Sequence, residues 1–289
     1  MLPAIRYLDW LFNPFQRRNA REVYELLGTG ALTAEGLYLN LGYWEVAEDI
    51  DEASEALARL VADEAGIRPG DAVVDAGFGF GDQDLLWARH YGPERIIGLN
   101  ITHSQVEKAR ERAEEAGVAG ILDLREASAT EMPVPDASVD CVVALESAFH
   151  FRTREVFFRE AWRVLKPGGR LVTADIIPMP SAATRWARLK QRLTWWLVAS
   201  RFDMPEANRY DRTAYVERLR AAGFPEPEVR SIRARVYAPL HLWLRSHPET
   251  LRRLHPVARL PARLARALSP DDLYSGLDYV LARADKPSR

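Results

Sequence analysis

The stretch Ala72-Val73-Val74-Asp75-Ala76-Gly77-Phe78-Gly79-Phe80-Gly81-Asp82 decides how the chain is read. Its first five residues form a short apolar run interrupted by one acid, which suits a strand buried on both faces. Gly77, Gly79 and Gly81 then alternate with two phenylalanines. Such glycines let the backbone turn tightly and let a ligand approach with no Cβ in the way. A helix predicted over 82–91 would aim its free N–H groups at the same space. Strand, turn and helix together predict a nucleotide-like ligand at the carboxyl end of a sheet.

The spacing then separates two ligand classes. A dinucleotide turn reads G-x-G-x-x-G, whereas this one reads G-x-G-x-G, with Asp75 before it and Asp82 after it. Acids at both ends disfavour a pyrophosphate and favour a ligand carrying positive charge.

Working outward, further apolar runs lie at 96–99, 121–124, 139–145 and 170–174, and helical patterns at 102–116 and 154–165. The alternation predicts an α/β fold: a Rossmann-like, mostly parallel seven-stranded sheet with helices on both faces. Upstream, helices over 14–27 and 51–65, stopped by Gly28 and Gly66, flank the aromatic segment Gly36–Trp44. Downstream come a helix over 181–200, another over 211–222, a strand over 228–237, a Pro- and Arg-rich helical stretch over 239–268 and a closing strand over 277–282. The expected division is an N-terminal helical segment, 1–66, covering the cofactor, and a core, 67–289, with cap insertions near 177–210 and 238–272. Trp186, Trp195, Trp196, Tyr237, Leu240, Leu242 and Trp243, in or beside those insertions, are expected to line an apolar acceptor pocket.

Composition excludes several classes. The 289 residues carry 39 Lys and Arg against 41 Asp and Glu, a net charge of -2, which speaks against a general nucleic-acid binder. The single cysteine, Cys141, can form neither an internal disulfide nor a thiolate metal cluster, so no metal is expected and a cytoplasmic location is. The start Met1-Leu2-Pro3-Ala4-Ile5-Arg6 does not read as a signal peptide, and no apolar run is long enough to span a bilayer. The basic, leucine-interleaved stretch Arg245–Leu268 is read three ways: peripheral membrane contact, an acceptor phosphate, or a solvated face. Pairing of two copies through the N-terminal helix is also left open.

The ordered motifs resemble class I S-adenosylmethionine-dependent methyltransferases of the small-molecule and lipid type, such as the tocopherol, sterol and natural-product enzymes. The resemblance runs from about Gly36 to Gly223 and rests on Val74–Gly81, Ile97–Thr102, Ala127–Asp136 and Arg163–Leu171. It implies S-adenosylmethionine as cofactor and methyl transfer to a small lipophilic metabolite. It also implies that Tyr38, Tyr43 and Trp44 fold over the methionyl part, with Asp75, Gly77, Gly79 and Gly81 at the turn. Two positions depart from the pattern. Asn100 stands where an acid normally binds the ribose, and Ser128, followed by Ala129, stands where an Asp normally meets the adenine. Thr102 is read as a ribose contact or, with Gln105, as a capping box.

For the chemistry, His150 in Leu145–Phe151 is the candidate general base, since imidazole titrates near neutral pH. Glu146, four residues earlier, is expected to orient the imidazole or to meet the donor's amino group. The competing functions are a nicotinamide-dependent oxidoreductase and a non-catalytic S-adenosylmethionine-binding partner protein.

Overall fold

The computed structural model describes residues 3–288 apart from 14, 17, 30, 31 and 200, with side chains from residue 5 onward. Three helices precede the sheet: α1 (Pro3–Phe12), α2 (Ala20–Leu27) and α3 (Ile50–Ala65). Then follow β1 (Ala72–Ala76), α4 (Asp82–His90), β2 (Arg95–Asn100), α5 (His103–Glu115), β3 (Leu122–Glu126), β4 (Val139–Leu145), α6 (Arg154–Val164) and β5 (Leu165–Pro178). The chain ends through α7 (Arg185–Ala199), α8 (Arg212–Ala221), β6 (Glu228–Ser231), α9 (Tyr237–Ser246), α10 (Pro256–Ala265), α11 (Pro270–Leu273) and β7 (Leu277–Asp285).

The seven strands lie in the order β3-β2-β1-β4-β5-β7-β6. Strands β1 to β5 are parallel, and β7 runs antiparallel between β5 and β6. This is the mostly parallel, Rossmann-like sheet expected. Successive residues of a strand face opposite sides. Val73, Cys141 and Val143 therefore join a core layer under α3, α4 and α5, and Val74, Val142 and Ala144 join one under α6 and α8. The strand order reverses at β1, which has β2 on one side and β4 on the other. A ligand crevice belongs at such a switch point.

Several boundaries differ from expectation for local reasons. Helix α2 begins after Asn19, whose side chain accepts from Glu22 N while the Glu22 carboxylate accepts from Asn19 N. That capping box starts the helix later than the predicted 14–27, and residue 14 lies outside the described residues. Helix α7 begins four residues later than predicted, and the predicted end, Ser200, lies outside the described residues. Strand β6 ends at Ser231, short of the expected Tyr237, because Arg233–Arg235 form a 3-10 turn and Tyr237 starts α9. Pro248 and Pro256 each open a separate helical piece, so the basic stretch is not one long helix.

A buried ion pair ties α6 to β5. Arg154, fully buried, donates to Asp175 at 2.7 Å, to Ile176 O at 2.7 Å and to Asn208 O at 2.5 Å. Tyr215 also donates to Asp175. Truncating one partner strands the other charge, so Arg154→Ala is expected to lower unfolding free energy by about 3–5 kcal/mol in urea titrations. A loss near zero would mean that water reaches Asp175.

Candidate active site

The backbone between residues 34 and 41 crosses the switch point as a strap, held by carboxylates from three elements. Asp51, in the first turn of α3, accepts from the N–H groups of Ala34, Glu35 and Gly36 at 2.6–3.0 Å. Asp82, at the start of α4, accepts from Leu37 N at 3.0 Å. Glu146, just after β4, accepts from Leu41 N at 2.7 Å. Asn40 adds bonds to Ser54 O and from Gly42 N.

Beneath the strap lies a cavity between the glycine turn, the ends of β2 and β4, and α2. Its floor is Gly77–Phe80. At Gly77, φ is +92° and an added Cβ would stand 2.4 Å from the Ser147 Cβ. At Gly79, φ is +58° and an added Cβ would meet only Leu39, at 3.4 Å. The first glycine is thus demanded by close packing, and the second faces open ligand space.

Two of the acids are not free at the cavity. Asp82 is clamped by Arg112 at 2.6 and 2.7 Å, which neutralises it. Asp75 lies fully buried below the turn, outside the cavity lining, and accepts from Gln83. It faces Asp84 in a second buried carboxyl position, and burial drives both pKa values upward. Two adjacent buried carboxyls hold a proton between them, since both cannot ionise at low dielectric. The expectation that Asp75 touches the ligand is therefore corrected.

Other expected residues sort cleanly. Tyr38, Gly77, Gly79, Asn100, Thr102, Gln105, Ser128, Ala129, Glu146 and His150 line the cavity. Gly81 sits behind it, with an αL φ of 81° as it leads into α4. Tyr43 and Trp44 do not line it. Tyr43 donates to Glu45, and Trp44 donates to Leu41 O and packs with Leu240 and Trp243. The strap's Leu37–Asn40 take their place. Thr102 makes no side-chain cap to α5, which removes the capping-box reading. The Gln105 side chain is bound to Asn100 at 2.9 Å, and its Nε2 is buried without a partner. Asn100 also donates to Gly79 O and accepts from Thr102 N. Ser128 bonds to Thr130.

The expected aromatic lid is also corrected. Among the described residues, none from 177–210 or 238–272 lines this cavity. Trp195 and Tyr237 are core, while Trp186 is 81% exposed.

The electrostatics fall on two residues. Glu146 has φ +49° and also accepts from Tyr279 OH at 2.7 Å. Burial raises its pKa to about 7. His150 Nε2 lies 3.0 Å from the hydroxyl of Tyr24 on α2. Enclosure lowers the His150 pKa to about 4, against an opposing effect of the Asp203 and Phe202 backbone. Its Nδ1 makes no hydrogen bond of ordinary geometry. Glu146 does not touch His150; the orienting partner is Tyr24. Nothing near Tyr24 in sequence marks it, since its partner lies 126 positions away. Asp203 was likewise missed. It accepts from Ala20 N at the start of α2 and binds Arg152 at 2.5–2.6 Å.

The cavity fits a cationic ligand. Among the described residues its one lining guanidinium, Arg152, is engaged by Asp203, while Glu146 faces the cavity from just after β4. Among the described residues a pyrophosphate would find no unengaged cation there, which removes the support for a nicotinamide dinucleotide.

Known proteins resemble this chain in sequence and fold. A family model described as a methyltransferase domain matches residues 74–173. The erythromycin 3''-O-methyltransferase of Saccharopolyspora erythraea is 39% identical over 280 residues, covering 93% of this chain and 90% of that protein. The chain belongs to the S-adenosylmethionine-dependent methyltransferases. Two solved structures share its fold. The [4+2]-cyclase SpnF superposes with a TM-score of 0.68 at 24% identity, covering 98% of this chain and 95% of that one. The geranyl diphosphate C-methyltransferase of Streptomyces coelicolor A3(2), solved with Mg2+, geranyl diphosphate and S-adenosyl-L-homocysteine, has a TM-score of 0.65 at 19% identity, covering 97% and 96%. Among the described residues no helix of this methyltransferase is long and apolar enough to cross a membrane.

Asp82 ties the strap to α4 and Arg112 to both. Asp82→Ala should release Leu37 N and leave the Arg112 guanidinium unpaired. Calorimetry is expected to show S-adenosylhomocysteine bound at least about tenfold more weakly, the loss of about 1.4 kcal/mol that a charged hydrogen bond carries. Unchanged affinity would mean the strap does not hold the donor.

Proposed function

We propose that this methyltransferase methylates a hydroxyl oxygen of a bulky, lipophilic natural product. The observation that carries the reading is the Tyr24–His150 contact at the cavity wall. The near full-length relation to an O-methyltransferase supports the choice of oxygen. When bound, S-adenosylmethionine supplies the methyl group on an electrophilic sulfonium carbon.

In this reading the strap and Glu146 hold the methionyl end. Glu146 offers its carboxylate to the donor's amino group, and Tyr38 lays an aromatic ring beside the cationic part. Gly77 and Gly79 let the chain pass close beneath. Asn100, Thr102 and Gln105 meet the ribose, with Gln105 Nε2 supplying an unspent donor. Ser128 and Ala129 border the adenine.

The acceptor hydroxyl lies against Tyr24. Burial raises the Tyr24 pKa, so its phenol stays protonated and donates to His150 Nε2. As the C–O bond forms and the methyl carbon's bond to sulfur breaks, with its electron pair left on sulfur, the Tyr24 oxygen takes the acceptor's proton and passes the phenolic proton on to His150 Nε2. A base of pKa about 4 is sufficient here, because a protonated ether is a far stronger acid than an imidazolium. Enclosure serves to keep His150 neutral and able to accept.

A screen of hydroxylated macrolides and aromatic polyketides with labelled donor tests the reading, and transfer only to carbon or nitrogen would overturn it. His150→Gln and Tyr24→Phe should each lower kcat roughly 10²-fold, the usual size of an acid–base contribution, with S-adenosylhomocysteine affinity preserved. Glu146 also sets a pH dependence. Its pKa near 7 makes it neutral at pH 6 and ionised at pH 8. Donor affinity should therefore rise between those values in the wild type and stay flat in Glu146→Gln.

A further inference from the structure

Away from the cavity, α7 presents an apolar face to solvent. Trp186, Leu189, Leu193 and Trp196 recur at helical spacing and are 81%, 56%, 53% and 46% exposed. Trp195, on the opposite side, is 5% exposed and supplies the helix's inward anchor. A helix apolar on both sides has an unsatisfied face. Its charges are Arg185, Arg188, Lys190 and Arg192, with no acid in Arg185–Ala199. Lys190 pairs with Asp272, and Arg188 binds the Ala182 and Ala183 carbonyls. Arg185 and Arg192 remain exposed beside the stripe.

Two neighbouring helices repeat the pattern. On α10 and just beyond it, Leu260, Leu264 and Leu268 are 64%, 65% and 49% exposed, with Arg263 among them and no acid between residues 250 and 268. On α1, Ile5, Leu8 and Phe12 are exposed while Tyr7 and Trp10 are buried. The three helices adjoin. Tyr7 stacks on His255 at the start of α10, at 4.0 Å, and Trp10 donates to Arg201 O beyond α7, at 2.8 Å.

We propose that this cap face, centred on α7, docks on an anionic lipid surface. The charge selects the occupant. A second copy packed on α7 about a two-fold axis would set one row of cations against the same row, which is repulsive. An anionic headgroup layer complements it, because basic residues near such a surface are attracted to it. Trp186 and Trp196 suit the boundary between headgroup and hydrocarbon, where one edge of an indole stays wet. An acidic protein would match the charges but has no need of an apolar stripe four residues long. Docking of this kind is independent of how the cavity performs methyl transfer.

The test is sedimentation of the full chain with vesicles of phosphatidylglycerol and phosphatidylcholine, against phosphatidylcholine alone, in 0.1 M salt. Binding is expected only to the anionic vesicles, with a blue shift of tryptophan emission. The double variant Leu189→Glu/Leu193→Glu should reduce partitioning at least tenfold while retaining S-adenosylhomocysteine binding, which certifies its fold. Failure of the wild type to bind the anionic vesicles overturns the proposal. So does binding to the anionic vesicles that the double variant retains in full, since the contact would then be charge alone and would not run through the α7 stripe. A wild-type dimer that the double variant converts to monomer, with no vesicle binding, would assign the face to a second copy instead.

Discussion

Backbone N–H groups are obligatory donors, and a loop that crosses the mouth of a cavity has no ladder to receive them. Here the strap from Ala34 to Leu41 gives five of those donors to Asp51, Asp82 and Glu146. Ionised acceptors bind amides more strongly than neutral ones. The three acids come from α3, the start of α4 and the residue after β4, so one short segment reports on the placement of three elements. Two of the acids also have a second tie: Asp82 to Arg112 and Glu146 to Tyr279 on β7. The cavity exists because this segment is held at a fixed height above the glycine turn.

Much of that arrangement was legible in the chain, and the boundary is physical. Periodicity and glycine spacing are local properties, so β1 to β5, the turn and the helices between them could be read directly. Ligand class was legible too, although through acids that turned out to be committed elsewhere. Asp82 is spent on Arg112, which lies a full helix away in sequence, and Asp75 is spent on Asp84. Glu146 is the acid left facing the ligand space. Tyr43 and Trp44 illustrate the same limit. An aromatic segment announces burial, but which aromatic faces the ligand depends on where the strap turns. The strap turns at Gly42, φ +78°, so Tyr38 faces the cavity and Trp44 faces α9.

Tyr24 marks the far edge of what local pattern can show. Its helix was readable, yet its contact with His150 arises only when α2 folds down on the loop after β4. The tie that brings it there, Asp203 to the Ala20 amide and to Arg152, joins three distant parts of the chain. The cap tryptophans fail for a related reason. Trp195 and Trp196 are adjacent in sequence and face opposite sides of α7. Composition records that both are present, and only packing records which one is inside.

The close fit of Gly77 against Ser147 separates the site into two materials. Ser147 Oγ also donates to Ala76 O at 2.5 Å, so the turn and the loop after β4 form one rigid block. The opposite wall, Ala20 and Tyr24 on α2, reaches that block through a few polar ties, Tyr24 to His150 and Ala20 N to Asp203. Variation is therefore affordable on one side only. A library that diversifies the α2 wall around a retained Tyr24 would leave the glycine turn and the Ser147 loop intact, and the same diversity at the block would disrupt the turn first.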